Sequence, residues 1–216
     1  MTGKRRYSTA LRTQQTALTR ARVLDAAREL FLTHGYLGTT IAAISESAQV
    51  SVQTIYNTVG NKPALLKTVY DTMLAGDDEP VAMIDRPQFQ AMLRAETATE
   101  CLAHYTAIAR DLAERVLPLI SMALAQAATG DPDLRDFTDT IENERNFGAT
   151  NLAGHLHHNF GLRPGRTVAE AADILWALTA PELADRLINR RGWTWDAYRA
   201  WLYTTATESL LAPAKP

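Results

Sequence analysis

The sequence predicts an all-α protein, and three observations carry that expectation. Apolar residues recur at helical spacing between turn signals, as in Val23, Leu24, Ala27, Leu30 and Phe31. No stretch alternates apolar and polar residues as a half-buried strand requires, and the chain holds no internal repeat. Residues able to cap a helix, Thr40, Ser51 and Thr167, stand just ahead of apolar runs. A chain of 216 residues with 46% apolar and 21% charged side chains can bury a sizeable core as one large or two small domains.

Residues 1–17 hold Lys4, Arg5, Arg6 and Arg12 and show no apolar periodicity. They are expected to form a flexible basic arm, able to lie along phosphates or enter a minor groove. The first helix is expected from about Leu18 to Thr33, its stripe serving as the floor for Ile41, Ile44 and Ile55. Gly35 supplies a left-handed stop, and His34 sits near the negative end of the helix dipole.

Thr39 to Asn57 reads as two very short helices joined by a tight turn. Thr40 caps the first ahead of Ile41 and Ile44, and Ser51 caps the second ahead of Val52, Ile55 and Val59. Ala48, Gln49 and Val50 leave room for the turn. Neither helix could stand alone in water at this length, so both must rest on neighbours. That leaves the polar face of the second free, with Gln53, Thr54 and Asn57 and with Tyr56 beside them. Amide, hydroxyl and phenol groups on a short helix suit the major groove of DNA, where base edges are donors and acceptors. A helical hairpin with an ordinary polar face is the plain alternative.

A fourth helix is expected to begin near Asn61 to Pro63 and to carry Leu65, Leu66, Val69, Tyr70 and Met73 inward. Pro63 suits a first turn, where no N–H is needed, and Lys62 would stand beside free backbone N–H groups that favour a phosphate. Gly76 to Pro80 ends that helix with turn residues and acid, which places a domain boundary near residue 76. Charge changes sign across it. Residues 1–75 hold nine Lys and Arg against four Asp and Glu, a balance of +5, and the remainder holds 13 against 20, a balance of −7. A basic head on an acidic body suits phosphate binding at one end only.

Beyond the boundary, residues 88–94 suggest a short helix, and Thr97 to Ala128 a long one with Leu102, Tyr105, Ile108, Leu112, Val116 and Leu119 on one face, bent by Pro118. Gly130, Asp131 and Pro132 make a turn before a helix from Asp133 to Phe160. Thr167 with Glu170 is in capping-box register for the next, Pro181 starts a short helix ending at Gly192, and the last spans Thr194 to Leu211. The expected division is a flexible arm over residues 1–17, a head with its connecting helix over 18–76, and an all-α body over 77–216.

Residues from about Arg20 to Met73 resemble the DNA-binding domain of the tetracycline-repressor (TetR) family of bacterial transcription regulators. The run TTIAAISESAQVSVQTIYN, followed by Lys62 and ALLKTVY, is similar to that family's three-helix head and the start of its connecting helix. The resemblance implies that Lys62, Thr40 and Tyr56 touch the DNA backbone, with Thr58 a further backbone position. This chain departs from the pattern at Gln49, where the family usually has glycine, at Thr58 and Val59, where it often has histidine and phenylalanine, and at Pro63, where glutamate is frequent. Base preference therefore does not carry over.

The segment ADILWALTAPELADRLINRRGWTWDAYRAWL resembles the C-terminal portion of the same family, in which two helices from each subunit pack as a four-helix dimer bundle. By that likeness Ile174, Leu178, Trp201, Leu202 and Thr205 are interface candidates, with intrachain core an equal alternative. Family members also keep a pocket among the body helices, for which Tyr105, Met122, Phe147, Asn151, His155 and Trp176 are candidates, each as readily plain core. The implied partners are double-stranded DNA carrying a palindromic operator, a second copy of the chain, and a small apolar or aromatic effector that releases the DNA. Dimerisation has a functional reason besides, since two heads roughly 34–36 Å apart read successive major grooves.

Other chemistries find little support. Cys101 is the only cysteine, so neither an intrachain disulfide nor a Cys-based zinc site is expected. His155 and His158 lie at i, i+3, and His104 could join them, but no acidic ligand or cysteine is adjacent at helical spacing. They are expected to be solvated or core-edge histidines, with no metal and no cofactor. Asp77, Asp78 and Glu79 read as a loop charge cluster, and no nucleophile triad or phosphate-cradling glycine loop is present. No enzyme is expected; the alternative is an all-α catalytic or metal-binding body joined to a helix-turn-helix. No run approaches the ~18 apolar residues that span a bilayer, and the basic N-terminus lacks a signal peptide's apolar segment, so a cytoplasmic location with no membrane partner is expected.

Overall fold

A computed structural model describes the backbone of residues 3–213 and the side chains of residues 14–213. Every regular element among them is helical. The first helix, α1, spans Gly3–Gly38 and reaches back well before Leu18, which corrects the expected start and the expected extent of the arm. Residues 4–33 contain neither proline nor glycine and are rich in Ala, Leu and Arg, so intrinsic propensity carries the helix where no apolar stripe does. The side chains of Lys4, Arg5 and Arg6 lie outside the described residues. Near its end α1 kinks at Gly35, whose φ of 73° is the stop its sequence implied.

Next come α2 (Ile41–Ser47), α3 (Val52–Thr58) and α4 (Lys62–Ala75). α4 is capped by Asn61, whose side chain accepts from the Ala64 N–H at 3.0 Å, and closed by Gly76 in the left-handed region at φ 87°. The later helices are α5 (Pro87–Leu93), α6 (Ala98–Ala127), α7 (Pro132–Asn159), α8 (Val168–Leu178), α9 (Pro181–Asp185) and α10 (Trp195–Leu210). α6 continues through Pro118 as one helix, and α9 runs into a π-helical turn at Arg186–Arg190. The capping box at Thr167 and Glu170 is formed in full.

The chain folds into two compact units. The first is Met1–Asp78 together with Met122–Phe137, and the second is Glu79–Ser121 together with Thr138–Pro216. The tip of the α6–α7 hairpin thus belongs with the head, which a single cut near residue 76 does not capture. In the first unit, α1 packs against α2, α3 and α4. Val23, Ala27, Phe31, Ile44, Ile55, Leu65 and Leu66 are fully enclosed there, as is Leu134 from the hairpin tip. In the second unit, Cys101, Leu102, Leu152, Leu156, Leu175 and Leu210 share one apolar core, and Leu117, Ala184, Tyr198 and Leu202 form another.

Candidate nucleic-acid interface

The surface is built from two caps and one buried isoleucine. The Thr40 hydroxyl accepts from the Ala43 N–H at 3.1 Å, and the Ser51 hydroxyl accepts from the Thr54 N–H at 3.1 Å. Each cap satisfies an orphan donor and fixes where a seven-residue helix begins. Between them the Ser45 hydroxyl donates to the Val50 carbonyl at 2.6 Å, while the Val50 N–H donates back to the Ser45 carbonyl at 3.1 Å. The turn needs a left-handed residue, and Gln49 supplies it at φ 54°, the one non-glycine among the described residues with positive φ.

With Ile55 fully enclosed, the helical period decides what points outward. Gln53, Tyr56 and Asn57 are exposed, Tyr56 at 49%, and Thr54 and Thr58 are half-buried. Gln53 Nε2 donates to Asn57 Oδ1 at 2.9 Å, so the two amides hold each other in register one turn apart. The Thr54 hydroxyl lies 2.8 Å from that of Ser51, and the Thr58 hydroxyl donates to the Thr54 carbonyl at 2.6 Å. Thr40 is exposed, and its capping oxygen keeps a hydrogen to donate to an incoming acceptor.

Lys62 is the first residue of α4. Its ammonium stands 4.0 Å from the centre of the Tyr36 ring, half-buried rather than fully solvated. Burial pushes its pKa below the ordinary lysine range, while Asp131 and Asp133 pull the other way. Periodicity gave no sign of a second positioning contact. Arg20 on α1 donates Nε–H and Nη2–H to the two carboxylate oxygens of Asp78 at 2.7 and 3.2 Å, and Nη1–H to the carbonyl of Thr58 at 3.2 Å. A side chain 38 residues away in sequence thereby closes the C-terminal end of α3.

The family model for bacterial regulatory proteins, tetR family, matches residues 23–69, which contain both short helices and their turn. Over those residues the chain is similar to the DNA-binding domain of that family. None of the curated proteins compared with it matches. Among solved structures, a complex of SmeT with triclosan is 19% identical with a TM-score of 0.68, covering 91% of this chain and 93% of that one. NalD from Pseudomonas aeruginosa, described as the secondary repressor of the MexAB-OprM multidrug efflux pump, is 21% identical with a TM-score of 0.63, covering 92% and 98%. A TetR transcriptional regulator from Chloroflexus aurantiacus is 19% identical with a TM-score of 0.61, covering 91% and 98%. At these identities the likeness is one of fold.

In the body the six pocket candidates do not converge. Met122 lies in the first unit, where its sulfur accepts the Tyr36 N–H at 3.2 Å. Phe147, Asn151 and His155 share a stripe of α7, but the stripe turned into the core is Ala149, Leu152, Ala153 and Leu156. Phe147 is consequently 71% exposed, and Asn151 is exposed as well. His155 meets the Phe160 ring edge-on and lies 3.1 Å from the Asn159 amide nitrogen. Trp176 donates its indole N–H to Glu142 at 2.9 Å. Burial raises the phenol of Tyr105, with a hydrogen bond to Thr179 and the charge of Arg145 opposing the shift. An open cleft of about 350 Å³ lies instead between α6 and α10, lined by Ala103, Thr106, Asp196, Arg199, Ala200 and Tyr203.

Of the interface candidates, Ile174, Leu178, Trp201 and Thr205 are half-buried within the single chain. Leu202 is 1% exposed and enclosed with Leu117, Ala184 and Tyr198, so it is intrachain core. Among the described residues no three His, Cys, Asp or Glu side chains are grouped to hold a metal ion, and no helix is long and apolar enough to cross a membrane.

Proposed function

We propose that this transcriptional regulator binds a palindromic operator in duplex DNA as a homodimer and acts as a repressor released by a small effector. One observation carries the DNA reading: α3 is pinned by Ile55 beneath and by a cap and a carbonyl bond at its two ends, while Gln53, Tyr56 and Asn57 stand exposed. A rigid helix that offers two amides and a phenol to solvent has the donors and acceptors that read base edges, with hydroxyls and an ammonium nearby for phosphates. Gln53 and Asn57 are assigned to bases, Tyr56, Thr40, Thr58 and Lys62 to the backbone, and Thr54 to either. The reading is non-catalytic.

Pairing of two chains follows from what one head can do. A single short helix touches few base pairs, and specificity comes from a second head on the next turn of the duplex. Ile174, Leu178, Trp201 and Thr205 on α8 and α10 are the proposed contacts with the second copy. Repression is supported by the description of NalD as a repressor, and a small aromatic ligand by the complex of SmeT with triclosan. An apolar or aromatic effector that prefers one arrangement of the body lowers DNA affinity by shifting the population toward it.

Selection from a random duplex pool at low ionic strength tests the interface. The parent should enrich a palindrome, and Gln53→Ala or Asn57→Ala should change which bases are enriched, by about 1–3 kcal/mol per lost bidentate contact. A parent that stays monomeric and enriches nothing rules the reading out. Effector classes are then ranked by the melting shift each produces, since a ligand of the native state raises stability by mass action.

A further inference from the structure

We propose that Asp131 and Asp133, at the tip of the α6–α7 hairpin, are positioning residues for the DNA interface that hold the Lys62 ammonium in an intramolecular competition with the DNA phosphate. The inference rests on the interface reading above and adds a part of the chain far from the helix-turn-helix in sequence.

The tip is fastened to the head at several points. The Leu37 N–H donates to Gln126 Oε1 at 3.0 Å, the Tyr36 N–H to the Met122 sulfur at 3.2 Å, and the Tyr36 hydroxyl to Asp133 Oδ2 at 2.7 Å. Phe137 meets Tyr70 of α4 edge-on with ring centres 5.7 Å apart. Gly35 admits this approach twice over: its φ is +73°, and a β-carbon there would fall 1.9 Å from Gln126 Nε2. The tip is therefore a fixed component of the first unit rather than a loop that brushes it.

Its charge changes the balance of that unit. Residues 1–78 hold nine Lys and Arg against six Asp and Glu, or +3, and residues 122–137 add one against three, which brings the unit to +1. The tip reaches Lys62 through one ring. The Lys62 ammonium lies over Tyr36, whose hydroxyl is committed to Asp133, and the negative charges of Asp133 and nearby Asp131 favour the charged ammonium. Asp131 is itself held in place, because Oδ1 accepts the Leu134 N–H at 3.1 Å. A phosphate approaching the start of α4 meets an ammonium already partly neutralised by its own chain. Neutralising the pair should release that charge to the DNA.

Amide substitution removes the charge and keeps the hydrogen bonds. In D131N the side chain can still accept from Leu134, and in D133N it can still accept from Tyr36. The measurement is fluorescence anisotropy of a labelled random-sequence duplex titrated at a series of salt concentrations, with melting curves on every variant. The double variant should bind about tenfold tighter than the parent at low salt, with the log–log salt slope steeper by about one. D131N alone, which leaves the Tyr36 bond untouched, should give a smaller gain in the same direction and serves if the double variant fails to fold. Lys62→Ala in either background should erase most of the gain. Unchanged affinity in the folded variants overturns the inference, as does a gain that survives Lys62→Ala, because the carboxylates would then act on the DNA without that residue. A parent that binds no duplex at all overturns the interface reading itself, a distinguishable result.

Discussion

The Nη1–H of Arg20 donates to the carbonyl oxygen of Thr58 at 3.2 Å, which ties the floor helix to the last residue of the helix assigned to the groove. The same guanidinium grips both carboxylate oxygens of Asp78, just beyond α4. One planar fork thus fixes three segments of the head. Lysine keeps the charge and three N–H donors, but all on one nitrogen, which cannot span the Asp78 carboxylate and the Thr58 carbonyl as the planar fork does. Arg20→Lys should weaken binding to the preferred operator by about 1 kcal/mol while leaving the salt slope unchanged, since no phosphate-directed charge is lost. Titrations of operator and random duplex at several salt concentrations would show it; an equal loss on both duplexes would mean that Arg20 does not orient α3.

Gln49 occupies a backbone conformation that costs an L-residue about 1 kcal/mol and costs glycine little. Its side chain is exposed, so nothing is lost in packing. Gln49→Gly should raise stability by a few tenths to about 1 kcal/mol, the lower figure allowing for glycine's larger unfolded-state entropy. Gln49→Val should lower it by more, because β-branching worsens the left-handed clash. Denaturant midpoints for the three proteins decide the order.

Gln53 and Asn57 are bonded to each other at 2.9 Å, so their contributions to DNA recognition should not add. Removing either frees the other to take a rotamer that no longer addresses its base. A double-mutant cycle with alanine at both positions should give a coupling energy of about 0.5–2 kcal/mol on the preferred operator and none on random duplex. Simple additivity on the operator would show that the pair does not act as a unit.

What was legible in the sequence is local, and what was missed is distant. A hydroxyl that caps a helix bonds an N–H three residues on, so Thr40, Ser51 and Thr167 could be placed from spacing alone, and each makes the bond expected of it. Gln49 was legible through the resemblance, because the family usually has glycine there, the residue that tolerates positive φ, and Gln49 takes that conformation. By contrast Arg20 and Asp78 lie 58 residues apart, and Tyr36 and Asp133 lie 97 apart, and no periodicity encodes either meeting. The orientation of the pocket candidates on α7 was not legible for another reason. Spacing shows that Phe147, Asn151 and His155 share a stripe, but the neighbouring stripe of Ala149, Leu152 and Leu156 makes the closer helix contact and takes the inward position. At the N-terminus, propensity extended α1 where an argument from apolar periodicity found nothing.

A second polar knot holds α7 to α8. Arg145 donates Nη1–H to both oxygens of Glu142 at 2.6 and 2.7 Å and Nη2–H to the Trp176 carbonyl at 2.7 Å, and the Trp176 indole donates to Glu142. The guanidinium side chain is 15% exposed, so these bonds are screened less than surface pairs. Arg145→Met keeps the stem but strands a carboxylate and a carbonyl, and should cost about 1–3 kcal/mol. Trp176 is one of four tryptophans, so the specific reporter is its indole N–H proton resonance, which should shift as the bond to Glu142 loosens. An unchanged midpoint with an unchanged Trp176 indole resonance would show that the knot is decorative.

Cys101 should betray unfolding of the second unit. Its side chain is fully buried, and desolvation, with a smaller push from Glu100, raises the thiol from the ordinary 9.0 to about 11. The folded state then holds the proton more tightly than the unfolded state does. The resulting stability is fully present below about pH 9 and is lost progressively as pH rises through 11. At about pH 10 the parent should have lost about 1 kcal/mol more, relative to about pH 8, than Cys101→Ala loses over the same interval. A thiol reagent near neutral pH should label the parent only as fast as the unit opens, with denaturant accelerating the reaction. Rapid labelling of the native protein, with no dependence on denaturant, would place Cys101 outside the core assigned to it.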